Sequence, residues 1–168
     1  MSESIVYLSL GSNIDNRYKN LHKGVELLEL TSDIVVIQKS SLYRSEPMYY
    51  SKQKNFYNMV VKIKTRLNPY DLLSKCMTIE KDVGRVKNNK KNRERIIDID
   101  IILYGDEKIN DSILKIPHPK MLERKFVLYP MQDIEPNLFF NHINKNINDV
   151  IYDMDDTFKI IKLTTLKL

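Results

Sequence analysis

Apolar and polar positions along the chain follow two alternating periods. Ile5 to Leu10 is a short apolar run that stops at Gly11-Ser12-Asn13, which predicts a strand and a turn. From Asp15 to Leu30, Tyr18, Leu21, Val25 and Leu28 recur at helical spacing, so an amphipathic helix is expected, with Gly24 a mild cost inside it. Ile34 to Arg44 reads as a second strand and Glu46 to Asn55 as a loop. In a third strand, Phe56 to Lys64, alternation puts Phe56, Asn58, Val60 and Lys62 on one face and Tyr57, Met59, Val61 and Ile63 on the other. Asn68-Pro69 is a helix start with its cap, and Leu72, Leu73, Cys76, Ile79 and Val83 mark the buried stripe that follows. Ile96 to Tyr104 is β-branched and apolar apart from Asp98 and Asp100, a fourth strand. Further on, Lys108-Ile109 offers a short edge pairing, Ile116-Pro117-His118-Pro119 a rigid loop, and Met121 to Pro130 a helix. The tail reads as a short segment at Leu138–Phe140, a helix at Ile147–Tyr152 and a strand at Phe158–Leu163.

The order through the fourth strand is β-α-β-β-α-β, which predicts a ferredoxin-like α+β fold: a mainly antiparallel sheet with helices packed on it, here with a C-terminal α/β extension. Right-handed crossovers put both helices on one face and leave the other available. The row Ile97, Ile99, Ile101 and Leu103 is then expected to meet the helices, with Asp98 and Asp100 together on the open face. No linker or repeat is visible, so residues 1–168 are expected to form a single domain.

Composition changes this picture little. The chain is 42% hydrophobic and 29% charged, ordinary for a globular protein. Its net charge of +5 is uneven, because residues 85–95 hold six of the 27 basic residues. That concentration reads as a local anion site more than a uniformly basic surface. The one cysteine, Cys76, excludes an internal disulfide and a cysteine-built zinc cage. With no secretory leader and no apolar run near the ~20 residues of a membrane span, a cytoplasmic protein without a membrane partner is expected.

Candidate chemistry concentrates between Gly84 and Tyr104. Asp98 and Asp100 should lie roughly 6.5–7 Å apart at Cα on one strand face, where they repel each other unless a cation intervenes. A lone pair of this kind is usually a solvated sheet face, and a lysine-rich run a solvated loop. In direct succession they point to a polyphosphate held between a hard divalent ion such as Mg²⁺ and a set of guanidinium groups. No G-x-x-x-x-G-K-[ST] loop is present and there are only four glycines, so side-chain cations must do the work of a backbone phosphate cradle. Three of the seven arginines (Arg85, Arg95 and Arg124) fall in the candidate site, as does His118 between two prolines. Glu46–Asn55 and Gly84–Glu94 are long enough to serve as binding loops, the second closing when phosphate neutralises its cations. An RNA-binding module shares the element order, but the aromatic signature of that fold is missing and paired acids would repel a nucleic-acid backbone. A ferredoxin-like regulatory domain is the third reading.

Five stretches together resemble the 6-hydroxymethyl-7,8-dihydropterin pyrophosphokinase family: YLSLGSN (7–13), SSLYRSEP (40–47), NFYN (55–58), GRVK with RIIDIDIILYG (84–105) and IPHPKMLERKFVLYP (116–130). The resemblance implies transfer of pyrophosphate from ATP, as co-substrate, to a pterin alcohol in folate biosynthesis by a monomer using two Mg²⁺ ions. It implies Asp98 and Asp100 as metal ligands, catalytic together with Arg85 and Arg95. Glu80, Arg85, Lys87, Arg95, Ile101, His118 and Arg124 are implied at ATP. Asn13, Ser45, Glu46, Met48, Phe56, Asn58 and Phe126 are implied at the pterin, Phe56 and Phe126 stacking on its ring. Lys87 stands where the family usually has arginine, Asn92 where it often has tryptophan, Arg93-Glu94 where it has Gly-Pro, and Phe56 where tyrosine is common. These implied substrates are small molecules, and no nucleic-acid partner is expected.

Overall fold

The computed structural model describes residues 3–48, 53–85, 94–155 and 158–163. Strand β1 (Ser4–Ser12) leads into helix α1 (Arg17–Glu29), then strands β2 (Ile34–Lys39), β3 (Leu42–Ser45) and β4 (Phe56–Thr65), helix α2 (Pro69–Val83) and strand β5 (Asp98–Tyr104). Two short pairs follow, β6 (Ile109–Asn110) with β7 (Lys115–Ile116), and, beyond helix α3 (Lys125–Ile134), β8 (Phe139–Phe140) with β9 (Lys145–Asn146). Helix α4 (Ile147–Tyr152) and strand β10 (Ile160–Leu163) end the described chain. The main sheet runs β10-β3-β4-β1-β5, with β2 also on β4, and every pairing is antiparallel. Its β5-β1-β4-β2/β3 centre is the expected ferredoxin-like arrangement.

Both main helices begin where local chemistry predicts. Asn68 Oδ1 accepts from the N–H groups of Tyr70 and Asp71, each at 3.0 Å, with Pro69 at the first helical position. Asn16 caps α1 in the same way through the Lys19 N–H at 3.1 Å, so that helix begins two residues after Asp15. One face of each helix packs on the sheet: Leu21, Val25 and Leu28 from α1 and Leu72, Cys76 and Ile79 from α2 join Val6, Leu8, Leu10, Met59, Val61, Ile63, Ile97, Ile99 and Ile101. Gly24 earns its place here, since a Cβ there would stand 2.4 Å from Ile97 Cδ1. Cys76 is a core residue, its thiol pushed up to about 12 by burial.

The structure departs from the expected pattern in four places. The second strand is broken into β2 and β3 because Ser40 enters the ladder with its side chain: its Oγ accepts the Val60 N–H at 2.9 Å and donates to Ser41 O at 2.8 Å. On β5 the register against β1 shifts, with Leu8 opposite Ile101 and Tyr7 opposite Leu103, leaving Ile102 as an extra residue. This bulge reverses the alternation, so Tyr104 joins the α1/α2 core while Ile102 and Leu103 face the other way. The second face is not wholly open either. Val127, Leu128 and Met131 of α3 cover its lower part against Tyr7, Val60 and Ile102. Finally, the helix expected at Met121–Pro130 is a 3-10 turn at Met121–Glu123, then α3 running past Pro130 to Ile134, the two separated by an extended Arg124 (φ −119°, ψ 100°).

Candidate active site

Beyond the edge of α3, the second sheet face is lined by short or polar side chains. The cross-strand register lays them in a row: Asp98 of β5 opposite Gly11 of β1, Gly11 opposite Asn58 of β4, and Asn58 opposite Tyr43 of β3. Strand spacing sets Asp98 and Asn58 roughly 10 Å apart across β1. Gly11 keeps the floor between them low, since a Cβ there would lie 3.1 Å from Asn58 Oδ1 and 3.8 Å from the Phe56 ring. In the next row Asp100 lies opposite Ser9. A cavity of about 220 Å³ rises from this floor, walled by Ser45–Met48, Gln53, Phe56, Arg95, His118, Arg124 and Phe126.

Electrostatics at the β5 end are dominated by four charges around two acids. Arg85 bonds Asp98 Oδ1 at 2.7 Å and Arg95 bonds Asp98 Oδ2, so the carboxylate is gripped on both oxygens. Arg85 also pairs with Glu80, a buried helix residue whose Oε1 accepts the Ile99 N–H at 2.7 Å. Burial raises the Glu80 carboxyl above its usual range despite that bond. Arg124 approaches Asp100 Oδ2 at 3.7 Å, too far to neutralise it fully. Burial first, and the Asp98 charge second, push Asp100 up to about 7.

His118 is pushed the opposite way, down to about 4, by burial and the neighbouring Arg124, so its imidazole is neutral at pH 7. Its Nδ1 accepts the Lys120 N–H at 3.2 Å, which puts the ring proton on Nε2 as a donor. The Arg124 Nε is buried and has no hydrogen-bond partner among the described residues. That buried, unpartnered donor is one that an anion in the cavity would satisfy.

The opposite end of the cavity suits a flat polar heterocycle. Asn58 is buried and its Nδ2 donates to Ser45 Oγ at 2.9 Å, which fixes the amide plane. Phe56 and Phe126 both present half-buried rings to the cavity, and the Arg124 guanidinium stands 5.5 Å from the Phe126 ring centre.

Of the residues expected at the site, the cavity gathers Ser45, Glu46, Met48, Phe56, Asn58, Arg95, Asp98, Asp100, His118, Arg124 and Phe126. Arg85 and Glu80 stand behind Asp98. Asn13 lies beneath, joining the Arg95 backbone to the Gln53 side chain. The Ile101 side chain belongs to the α1/α2 core on the far side of the sheet, leaving only its backbone for any role at a nucleotide. Lys87, Asn92 and Arg93 lie outside the described residues. Sequence reasoning passed over Ser9, Gly11, Pro47 and Gln53. For the first two a signal existed: they share the Tyr7 face of β1 and are too small to fill it.

The acids offer hard oxygens alone, and among the described residues no group of three or more His, Cys, Asp or Glu side chains could hold a metal. That donor set fits Mg²⁺, which takes one or two carboxylates and completes its shell with phosphate oxygens and water.

A sequence model of 7,8-dihydro-6-hydroxymethylpterin-pyrophosphokinase matches residues 7–136. The chain is 47% identical over 133 residues to a folic acid synthesis protein of Pneumocystis carinii, covering 79% of this chain and 18% of that protein. It thus spans about a fifth of the length of such relatives. It is 46% identical over 133 residues to the 2-amino-4-hydroxy-6-hydroxymethyldihydropteridine pyrophosphokinase of Aquifex aeolicus, covering 79% of this chain and 81% of the relative. Identity to the Haemophilus influenzae protein of the same name is 35% over 157 residues, 94% and 96% of the two chains. Among solved structures, wild-type Plasmodium falciparum HPPK-DHPS with pteroate superposes with a TM-score of 0.73 at 17% identity, covering 90% of this chain and 44% of that one.

Proposed function

The chain belongs to the 7,8-dihydro-6-hydroxymethylpterin-pyrophosphokinase family, and from that premise we propose that it transfers pyrophosphate from ATP to the hydroxymethyl group of 6-hydroxymethyl-7,8-dihydropterin in folate synthesis, releasing AMP. The pterin hydroxyl oxygen bonds to the β-phosphorus, the bond from that phosphorus to the α-phosphate bridging oxygen breaks with its electron pair staying on the departing AMP, and the hydroxyl proton passes to solvent. The observation that carries this reading is the row Asp98–Gly11–Asn58. It sets a cation-demanding acidic pair and an amide-floored, Phe-walled pocket side by side in one cavity, the spacing that two substrates need to react.

In this reading Asp98 and Asp100 would hold Mg²⁺, two ions in all, which would supply charge neutralisation at the triphosphate and a lowered pKa at the attacking hydroxyl. The protein's own groups do the rest. Arg95 and Arg124 line the cavity and meet the phosphate oxygens as charge shifts towards the leaving AMP, with Arg85 contributing from behind Asp98 and Lys87 as a further phosphate-binding cation. Neutral His118 donates from Nε2 without adding charge. Asn58, held by Ser45, reads the polar edge of the pterin, and Phe56 and Phe126 stack on its two faces. Asn13, Glu46 and Met48 complete the pterin pocket, while Glu80 and the Ile101 backbone sit on the nucleotide side.

Residues 1–168 act as one domain, monomeric and cytoplasmic, on small molecules and not on nucleic acid. No helix among the described residues is long and apolar enough to cross a membrane. The test is to mix the protein with ATP, Mg²⁺ and the hydroxymethyl-dihydropterin and to separate the nucleotides. AMP with pyrophosphorylated pterin is expected. ADP would make it an ordinary kinase, and no product would sink the reading.

A further inference from the structure

The family match ends at residue 136, yet one wall of the cavity is held from beyond it. Strand β3 has four residues and pairs with β4 at only three of them, Tyr43, Arg44 and Ser45. So short a strand contributes few ladder bonds of its own, and Ser45 at its end opens directly into the wall segment Ser45–Met48. Strand β10 covers the other side of β3 along its whole length, from Ile160 opposite Ser45 to Leu163 opposite Leu42.

The contact continues one residue into the wall. The Glu46 N–H donates to Lys159 O at 3.4 Å, and the Lys159 N–H donates to Glu46 Oε2, also at 3.4 Å. β10 is itself tied down. Lys162 bonds Asp133 Oδ1 on α3, whose Oδ2 accepts the Ser41 N–H at 2.7 Å, immediately before β3. The Lys162 ammonium also stands 5.9 Å from the Tyr43 ring centre. β3 is thus held at its start by Asp133 of α3, whose other oxygen Lys162 of β10 engages, and at its end by Lys159, the residue that leads into β10.

We propose that β10 is a positioning strand for the organic substrate: it sets where Ser45–Met48 stands and so the affinity of the Asn58 end of the cavity, leaving the phosphate end untouched. Ser45 links this to recognition, because its Oγ is the acceptor that fixes Asn58. Asp98, Asp100, Arg95 and His118 hang from β5 and the loops beside it, which make no pairing with β10. Lys162 acts as a positioning residue through Asp133, and none of β10 touches the cavity. The identity of the organic substrate rests on the family reading above; the mechanical claim does not.

The experiment uses the full chain with Ile161→Pro, Lys162→Ala and Lys162→Arg. Proline removes a backbone donor and fixes φ in the middle of β10, while the Ile161 side chain is itself exposed. Ile161→Pro should raise the pterin KM about tenfold, equivalent to about 1.4 kcal/mol. Lys162→Ala, which loses a part-exposed ion pair, should raise it roughly two- to fivefold, and Lys162→Arg should restore it. In all three the KM for ATP and kcat should stay within about twofold. Amide exchange supplies a readout independent of turnover: protection at Ser45 and Glu46 should fall in Ile161→Pro and stay unchanged across Asp98–Tyr104. Unchanged protection at Ser45–Glu46 overturns the positioning claim whether or not the chain turns over. Parallel loss of both KM values and kcat overturns it equally, by making β10 a general stabiliser. Should Ile161→Pro fail to fold, the Lys162 pair decides by the same readouts. A wild-type chain that releases no AMP overturns the functional reading alone.

Discussion

Asn13 and Arg95 are joined by two hydrogen bonds: the Asn13 N–H donates to Arg95 O at 3.1 Å, and Asn13 Oδ1 accepts the Arg95 N–H at 2.7 Å. Eighty-two residues apart, they close the end of β1 onto the segment that feeds β5. The same side chain donates to Gln53 Oε1 at 3.1 Å, so one fully buried amide aligns both ends of the cavity. Asn13→Ala should leave the Arg95 N–H without its acceptor and cost about 1–3 kcal/mol, read as a lower denaturation midpoint. Both KM values should rise together in steady-state assays, since both ends lose their anchor. A rise confined to one substrate would show that Asn13 serves only that end.

Asp98 carries two guanidinium partners, and Asp100 has one at a distance. Asp98→Ala and Asp100→Ala should each lower turnover by at least about a hundredfold. Thermal stability should move by no more than about 1 kcal/mol, because the ion pairs are part-exposed. Chelating divalent ions from the parent protein should abolish AMP release, and Mg²⁺ should restore it. Retained activity in chelator, or a collapsed circular dichroism spectrum in either variant, would contradict the assignment.

His118 makes stability depend on pH with a definite sign. Its folded pKa of about 4 lies below the ordinary 6.5, so between those values the unfolded chain binds more protons. Its contribution is therefore complete above pH 6.5 and is lost as pH falls through 6.5 towards 4. Asp100, raised to about 7, pulls the opposite way over much of that window. The comparison must accordingly be between parent and His118→Gln, each melted from pH 4 to pH 8. The variant should lack the parent's loss of stability below pH 6.5, and parallel curves would refute the burial argument.

The end of the cavity proposed to take the pterin can be probed from its walls and its floor. Phe56→Ala and Phe126→Ala should each weaken pterin binding by about 1–3 kcal/mol, roughly 5- to 150-fold, if both rings stack on the ligand. Gly11→Ala would drive a methyl group against Asn58 Oδ1 and should raise the pterin KM more than the ATP KM. Fluorescence titration of the pterin in the absence of ATP measures each effect.

Much of this was readable in the residues, and the exceptions share a cause. Alternation placed Phe56, Asn58, Val60 and Lys62 on one face, because large apolar residues at 57, 59, 61 and 63 leave no other choice. The cap at Asn68-Pro69 was equally plain, its donors and acceptor lying within three residues. Ile102 was not, since consecutive isoleucines look alike whichever face they take, and only the partner strand decides which is the extra one. The division at Ser40 depends on a bond to Val60, twenty residues away. The grip of Arg85 and Arg95 on Asp98 was hidden for a different reason: each side chain was legible as a phosphate ligand, but nothing local says which carboxylate it meets. Pro47 and Gln53 line the cavity from a segment without periodicity, and the bond of Gln53 to Asn13 spans forty residues, so nothing local announces either of them.

The surplus residue at Ile102 also works as a detent. A regular ribbon can slip along its neighbour by two positions and keep its faces, but β5 cannot do so without dragging its kink past Leu8 and Tyr7. Asp98 and Asp100 are thereby indexed to Gly11 and Ser9 as firmly as the teeth of a ratchet, and the two carboxylates gain their aim from a residue buried in the core.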